Sequence, residues 1–131
     1  MAGEFAVQQA LFTALSALGL RVVDKGKQAA DGGDPTPFPY VEIGFVVMGA
    51  FDTARETGFD YVARIHVRSR SGSMAETKGI QAQIYNRLHR GALTITGFNH
   101  ILIQRENSQV MTAPDNQFHG VCEYRGLMEK T

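Results

Sequence analysis

Hydrophobic and polar residues alternate most regularly between Phe59 and Arg70. Phe59, Tyr61, Ala63, Ile65 and Val67 fall on one face, and Asp60, Arg64, His66, Arg68 and Arg70 on the other, with only Val62 out of phase. A period of two over this length predicts a strand with one buried face. The chain then turns at Ser71-Gly72, and Ser73-Met74-Ala75-Glu76 has the spacing of a capping box. In that motif the Ser73 hydroxyl accepts from the Glu76 amide and the Glu76 carboxylate reaches back. Ile80, Ile84 and Leu88 follow at intervals of four, predicting a helix packed on the Tyr61, Ile65 and Val67 face, with Gly91 placed to end it.

The same reading extends along the chain. Val7, Leu11, Ala14, Leu15 and Leu18 share one helical face between Glu4 and Leu18, Phe5 and Phe12 widen it, and Gly19 supplies a stop. That face either packs wholly on the chain's own sheet or gives part of its width to a neighbouring subunit. Leu20 to Val23 is a short strand. Residues 24–39, DKGKQAADGGDPTPFP, carry charges, small residues and three prolines without periodicity, which predicts a flexible loop ordered by a partner. Tyr40 to Val47 is a β-rich strand entered from Pro39, and Met48 to Thr53 a bend or second short strand. Leu93 to Gly97 extends a little. Asn99 to Gln109 is a strand with Ile101 and Ile103 inward and Gln104 and Glu106 outward. Ala113-Pro114-Asp115-Asn116 is turn chemistry. From Phe118 to Met128 the even positions share one face, with His119, Glu123 and Arg125 on the other. The order α-β-β-β-α-β-β predicts a single α+β domain over residues 1–131, with a mainly antiparallel or mixed sheet and both helices on one face.

Composition narrows the chemistry. The 131 residues suffice for one domain with a real core. Lys+Arg and Asp+Glu balance at 13 each, so no overall basicity marks a nucleic-acid binder. The single cysteine, Cys122, cannot form an internal bridge and fits a reducing compartment. No secretory leader is visible, and no apolar run is long enough for a membrane span, so manufacture in a cytoplasm is expected. His66, His89, His100 and His119 are scattered and form no paired ligand motif, so no metal is expected. The P-loop and dinucleotide fingerprints are absent, as is a nucleophile elbow, and Asp52 and Glu56 lie in a polar connection. No catalytic, cofactor-binding or metal-binding residue is therefore expected.

Arg64, Arg68 and Arg70, with His66, line up along about 20 Å of one strand face. Three readings fit. The stripe is a solvated face with partners such as Glu42 and Glu123 on neighbouring strands, or it pairs with an adjacent subunit, or it faces a nucleic-acid backbone. The balanced net charge favours protein over DNA.

Pro39-Tyr40-Val41-x-Ile43-Gly44, the strand-turn-helix from Ile65 to Gly72 and the Glu76, Ile80, Ile84, Leu88 helix together resemble the tail completion, or tail terminator, proteins. These belong to long-tailed phages and phage-derived gene transfer agents. The likeness covers almost the whole chain. Many relatives carry a tryptophan before the serine ending the long strand, where this chain has Arg68. The resemblance implies a homohexameric ring at the head–tail junction of the particle, made in the bacterial cytoplasm. Such a ring caps the tail tube protein and offers the surface on which the head connector, or stopper, docks. It implies no enzyme activity, cofactor or membrane. Six spheres of ~36 Å touching in a ring leave a hole about one sphere wide, enough for DNA to pass through the lumen. Candidate subunit or partner contacts are Arg64, Arg68 and Arg70 on the strand, Phe5 and Phe12 on the first helix, and Asp34 and Phe38 in the loop. A connector ring protein or a tube subunit is the alternative within the particle, and a small nucleic-acid-binding α+β module the alternative outside it.

Overall fold

A computed structural model describes residues 3–23, 37–50, 57–70, 73–114 and 116–131. The expectations for residues 24–36 (Asp34 among them), for 51–53, for Asp52 and Glu56, and for the Ser71-Gly72 turn lie outside the described residues.

The elements follow the predicted order: α1 (Gly3–Ser16), β1 (Val22–Val23), β2 (Tyr40–Ala50), β3 (Gly58–Ser69), α2 (Ala75–Leu88), β4 (Phe98–Ala113) and β5 (Gln117–Lys130). They build one mixed five-stranded sheet in the order β1-β2-β3-β5-β4. Only the short β1–β2 pair is parallel. Both helices cover the same face, so the chain is an α+β domain as the pattern predicts.

The core lies between that face and the helices. Val7, Leu11 and Leu15 of α1 and Ile80, Ile84 and Leu88 of α2 pack with Tyr61, Ile65 and Val67 of β3 and Cys122, Tyr124 and Met128 of β5. Close approach is built into β5 by glycines. The Tyr61 ring lies where a Cβ on Gly126 would sit, and a Cβ on Gly120 would meet Gln81 Nε2 at 2.5 Å and Thr77 Cγ2 at 2.8 Å. The Tyr61 hydroxyl reaches His100 Nε2 at 2.9 Å, and Gln81 bridges to β4 by donating to the Gln109 carbonyl at 3.1 Å.

Five local expectations change. The capping box does not form: Ser73 Oγ accepts from the Ala75 amide at 3.3 Å, and the Glu76 carboxylate accepts the Ser69 hydroxyl at 2.6 Å instead. Ser69 is buried at the end of β3, so its hydroxyl outcompetes the exposed helix start for that carboxylate. Gly91 does not stop α2. Arg90 takes the left-handed conformation at φ 57°, held by its amide donating to the Ile103 carbonyl at 2.7 Å. Ile101 is 52% exposed rather than inward, because a register irregularity between His100 and Leu102 inserts it as a bulge while Ile103 stays buried. Finally, β2 runs on to Ala50, and Leu93 to Gly97 forms no strand, although Leu93 and Ile95 are buried.

Ile84→Ala should destabilise the domain by ~2–5 kcal/mol in urea unfolding, since its side chain is wholly enclosed. Gly126→Ala should cost about 1–3 kcal/mol through the displaced Tyr61 ring. An effect of either below about half a kcal/mol would mean that the helix and ring do not sit as described.

Candidate assembly surface

Among the described residues the outer face of the sheet carries no helix, and its chemistry follows from strand pairing. The register sets Arg64 opposite Glu123, Arg68 opposite His119, and Glu42 opposite His66. Side chains opposite one another share a face and interact directly. Arg64 Nη2 meets Glu123 Oε2 at 3.0 Å and its Nε meets the same oxygen at 3.2 Å, while Asn107 donates to Glu123 Oε1 at 2.9 Å. These contacts, Asn107 first and Arg64 second, hold the Glu123 carboxyl below its ordinary pKa. Arg68 lies 3.6 Å from Glu42. Further up the sheet Arg125 joins Glu106 at 2.8 Å and Asp60 at 3.3 Å.

The stripe of arginines is therefore already partnered within the chain, by the two carboxylates, Glu42 and Glu123, that the solvated-face reading names. Each such half-exposed pair contributes only about 0–1 kcal/mol. Their larger consequence is electrostatic. Among the described residues Glu42, Asp60, Glu106 and Glu123 offset Arg64, Arg68 and Arg125, which leaves Arg70 as the cation there without a carboxylate partner and makes no continuous positive strip of the kind a phosphate backbone requires. Arg70 is exposed and lies with its guanidinium 4.8 Å from the Phe38 ring centre, and Phe38 packs on buried Tyr40 at 5.3 Å. Arg21 donates to the Pro37 and Pro39 carbonyls at 2.9 and 3.1 Å, fixing the approach to β2 from the other side.

The candidate contacts do not form one site. Arg64, Arg68, Arg70 and Phe38 gather on or beside the outer face. Phe5 and Phe12 lie on α1 in the helical layer, both exposed, along a groove of about 740 Å³ lined also by Arg87, Leu93, Thr94 and Thr96. Asp34 is outside the described residues. Sequence reasoning missed the Arg125 bridges and took the histidines as scattered. The fold brings two of them together: His66 Nδ1 and His119 Nε2 are 2.7 Å apart, with the rings stacked at 4.9 Å. Same-face parity was readable for both, but their meeting depends on β3 pairing with β5, which alternation does not reveal. Among the described residues no group of three or more His, Cys, Asp or Glu side chains could hold a metal ion.

Burial lowers both histidine pKa values, His119 to about 4, and Arg68 lowers both further, with Glu42 opposing it. A histidine kept neutral in the folded chain and protonated in the unfolded one makes stability fall with acidity. The loss should run from about pH 6.5 down to about pH 4 and then level off. His119→Gln should flatten that slope in urea midpoints measured at pH 7, 5.5 and 4.5. An unchanged slope would show that the pair does not sense protonation.

Comparison with known proteins places these surfaces in a family. No match is found among curated protein sequences. In structure the chain resembles a chain of the virion of a native gene transfer agent particle, with a TM-score of 0.76 and 17% identity, over 98% of this chain and 96% of that one. The family model for tail completion protein gp17 matches residues 7–129. The chain belongs to this tail completion family of structural phage-tail proteins.

Proposed function

We propose that copies of this chain form a ring, of six subunits as the family resemblance implies, that terminates the tail tube and offers the surface for joining the head. The observation that carries this reading is the family match across residues 7–129. The gene transfer agent chain of the same fold, which is part of a virion, supports it. Two features of the surface are consistent with assembly. The α1 stripe of Phe5 and Phe12 leaves apolar area in water, which single soluble domains usually cover with a partner. The outer sheet face is charge-balanced, so a duplex passing along it would meet little net attraction. We assign Phe5 and Phe12 to a tube or head contact, and Arg64, Arg68 and Arg70 to protein contacts on the sheet side, with Asp34 and Phe38 contributing from the connection into β2.

Native mass spectrometry of the protein, alone and with the tube protein, tests the ring directly. The expected species is a closed oligomer that binds tube ends and stops their growth. Phe5→Ser/Phe12→Ser should leave the ring intact and abolish capping. Arg64→Gln/Arg68→Gln should fold normally and weaken assembly or capping at least several-fold, more so as salt rises. Normal assembly and capping by both variants would remove these residues from the contacts. A protein that remains monomeric with and without the tube protein would remove the ring.

A further inference from the structure

The two long edges of the sheet are open among the described residues. Among the described residues β1 pairs with β2 only at Val41 and Glu42, and the stretch Ile43–Ala50 has no strand on its outer side. At the opposite edge β4 pairs, among the described residues, only with β5. Natural edge strands are usually guarded by lysine, proline or inward charge. Here Ile43–Ala50 reads IGFVVMGA and the end of β4, Asn107–Ala113, reads NSQVMTA, with no charged residue or proline in either.

A second observation falls on the same strands. The exposed large apolar side chains are Phe5 and Phe12 on α1, Phe45 and Val47 on β2, and Ile101 and Met111 on β4. The central strands β3 and β5 have none in this set. The most exposed large apolar side chains of the sheet thus lie on β2 and β4, its two outer long strands, with the Arg64 guanidinium over the Phe45 ring at 4.4 Å.

Strand direction makes the two edges complementary. Each of the pairs β2–β3, β3–β5 and β5–β4 is antiparallel, so β2 and β4 run in opposite directions. A copy rotated about an axis roughly along the strands keeps its own directions. It therefore presents its β2 antiparallel to the first copy's β4, continuing the alternation. The open part of β2 spans about 26 Å, and β4 is about twice as long, so the edges overlap over a range of staggers. The irregularities at Ile43/Val46 in β2 and at His100/Leu102 and Arg105/Asn107 in β4 are bulges of the type that add the curl a closing sheet needs.

We propose that the bond between subunits is this edge pairing: Ile43–Ala50 of one copy adds as an antiparallel strand to β4 of the next. The inference rests on the ring reading and names its closing contact. Two different edges meet, so the interface is head-to-tail, as a ring requires. A twofold pairing of β4 with β4 would stop at a dimer and leave β2 open. The helices would then lie on one wall of the ring and the charge-balanced face on the other.

Val47→Lys disables the β2 edge and Ile101→Lys/Met111→Lys the β4 edge, all at exposed positions, with circular dichroism confirming the fold. Each variant alone should be monomeric by native mass spectrometry at concentrations where the unaltered chain forms rings. Mixed in equal amounts they should give a one-to-one pair and nothing larger, because each contributes one intact edge. In the unaltered chain, hydrogen exchange at 43–50 and along β4 should slow at least tenfold on assembly. Rings formed by the unaltered chain with unchanged exchange at both edges would overturn the edge pairing and leave the ring standing. Dimers of Val47→Lys alone would replace it with twofold β4 pairing. An unaltered chain monomeric alone and with the tube protein would overturn both the pairing and the ring.

Discussion

The unbroken antiparallel pairing of β3 with β5 is the constraint on which the rest of the structure depends. It runs from Gly58 opposite Glu129 to Ser69 opposite Phe118 without a register shift. Because side chains alternate, that single register decides both faces at once. On the inner side it places Tyr61 over Gly126, Ile65 beside Cys122 and Val67 over Gly120, the platform both helices cover. On the outer side it places Arg64 against Glu123 and His66 within reach of His119. A slip of one residue would turn the arginines into the core. The apolar residues would go to water, so the register is enforced by burial and not by the ion pairs, which are too exposed to enforce anything.

That dependence explains what could be read from the residues and what could not. β3, β5 and α2 were readable because each has one dominant period and one buried face, broken only locally by Val62 and Val121. Ile84 and Ile65 lie where alternation and helical spacing put them. The solvated-face partners of the arginines were readable too, since parity alone puts Glu42 and Glu123 on a common face with Arg64 and Arg68. β4 was harder. Bulges at Ile101 and Glu106 change its phase twice, so extrapolating from Ile103 sends Ile101 inward when it faces water. The helix ends failed for a different reason. Ser73, Glu76 and Gly91 are suitable residues for their expected roles. Tertiary partners, the Ser69 hydroxyl and the Ile103 carbonyl, redirected the carboxylate and moved the left-handed position to Arg90. Of the candidate contacts, Phe5 and Phe12 were legible only as a widening of the α1 face; that they stay exposed instead of packing on the sheet is a tertiary fact. The edge residues were not legible, since being an edge is a property of strand order, which no local pattern encodes.

The same domain therefore has two surfaces with opposite electrostatic and solvation character. Across the outer face, charges of both signs lie within a few ångströms and their fields cancel beyond about a Debye length, on the order of 8 Å in physiological salt. Such a face neither recruits polyanions from a distance nor leaves a single sign to repel a copy of itself. Along the strand edges, by contrast, the backbone amides and carbonyls of Ile43–Ala50 and of Asn107–Ala113 have, among the described residues, no outer strand and no charged side chain of their own to guard them. Water satisfies those groups in the isolated subunit, so adding one strand gains little per hydrogen bond. The gain comes from covering Phe45, Val47, Ile101 and Met111 at the same time. In a closed ring every subunit makes both edge contacts, whereas an open chain of copies leaves one edge exposed at each end. Closure thus adds a whole interface without further loss of translational freedom. A contact that holds two copies is thereby reinforced in a ring, as expected of a domain whose sheet ends in two edges of opposite direction.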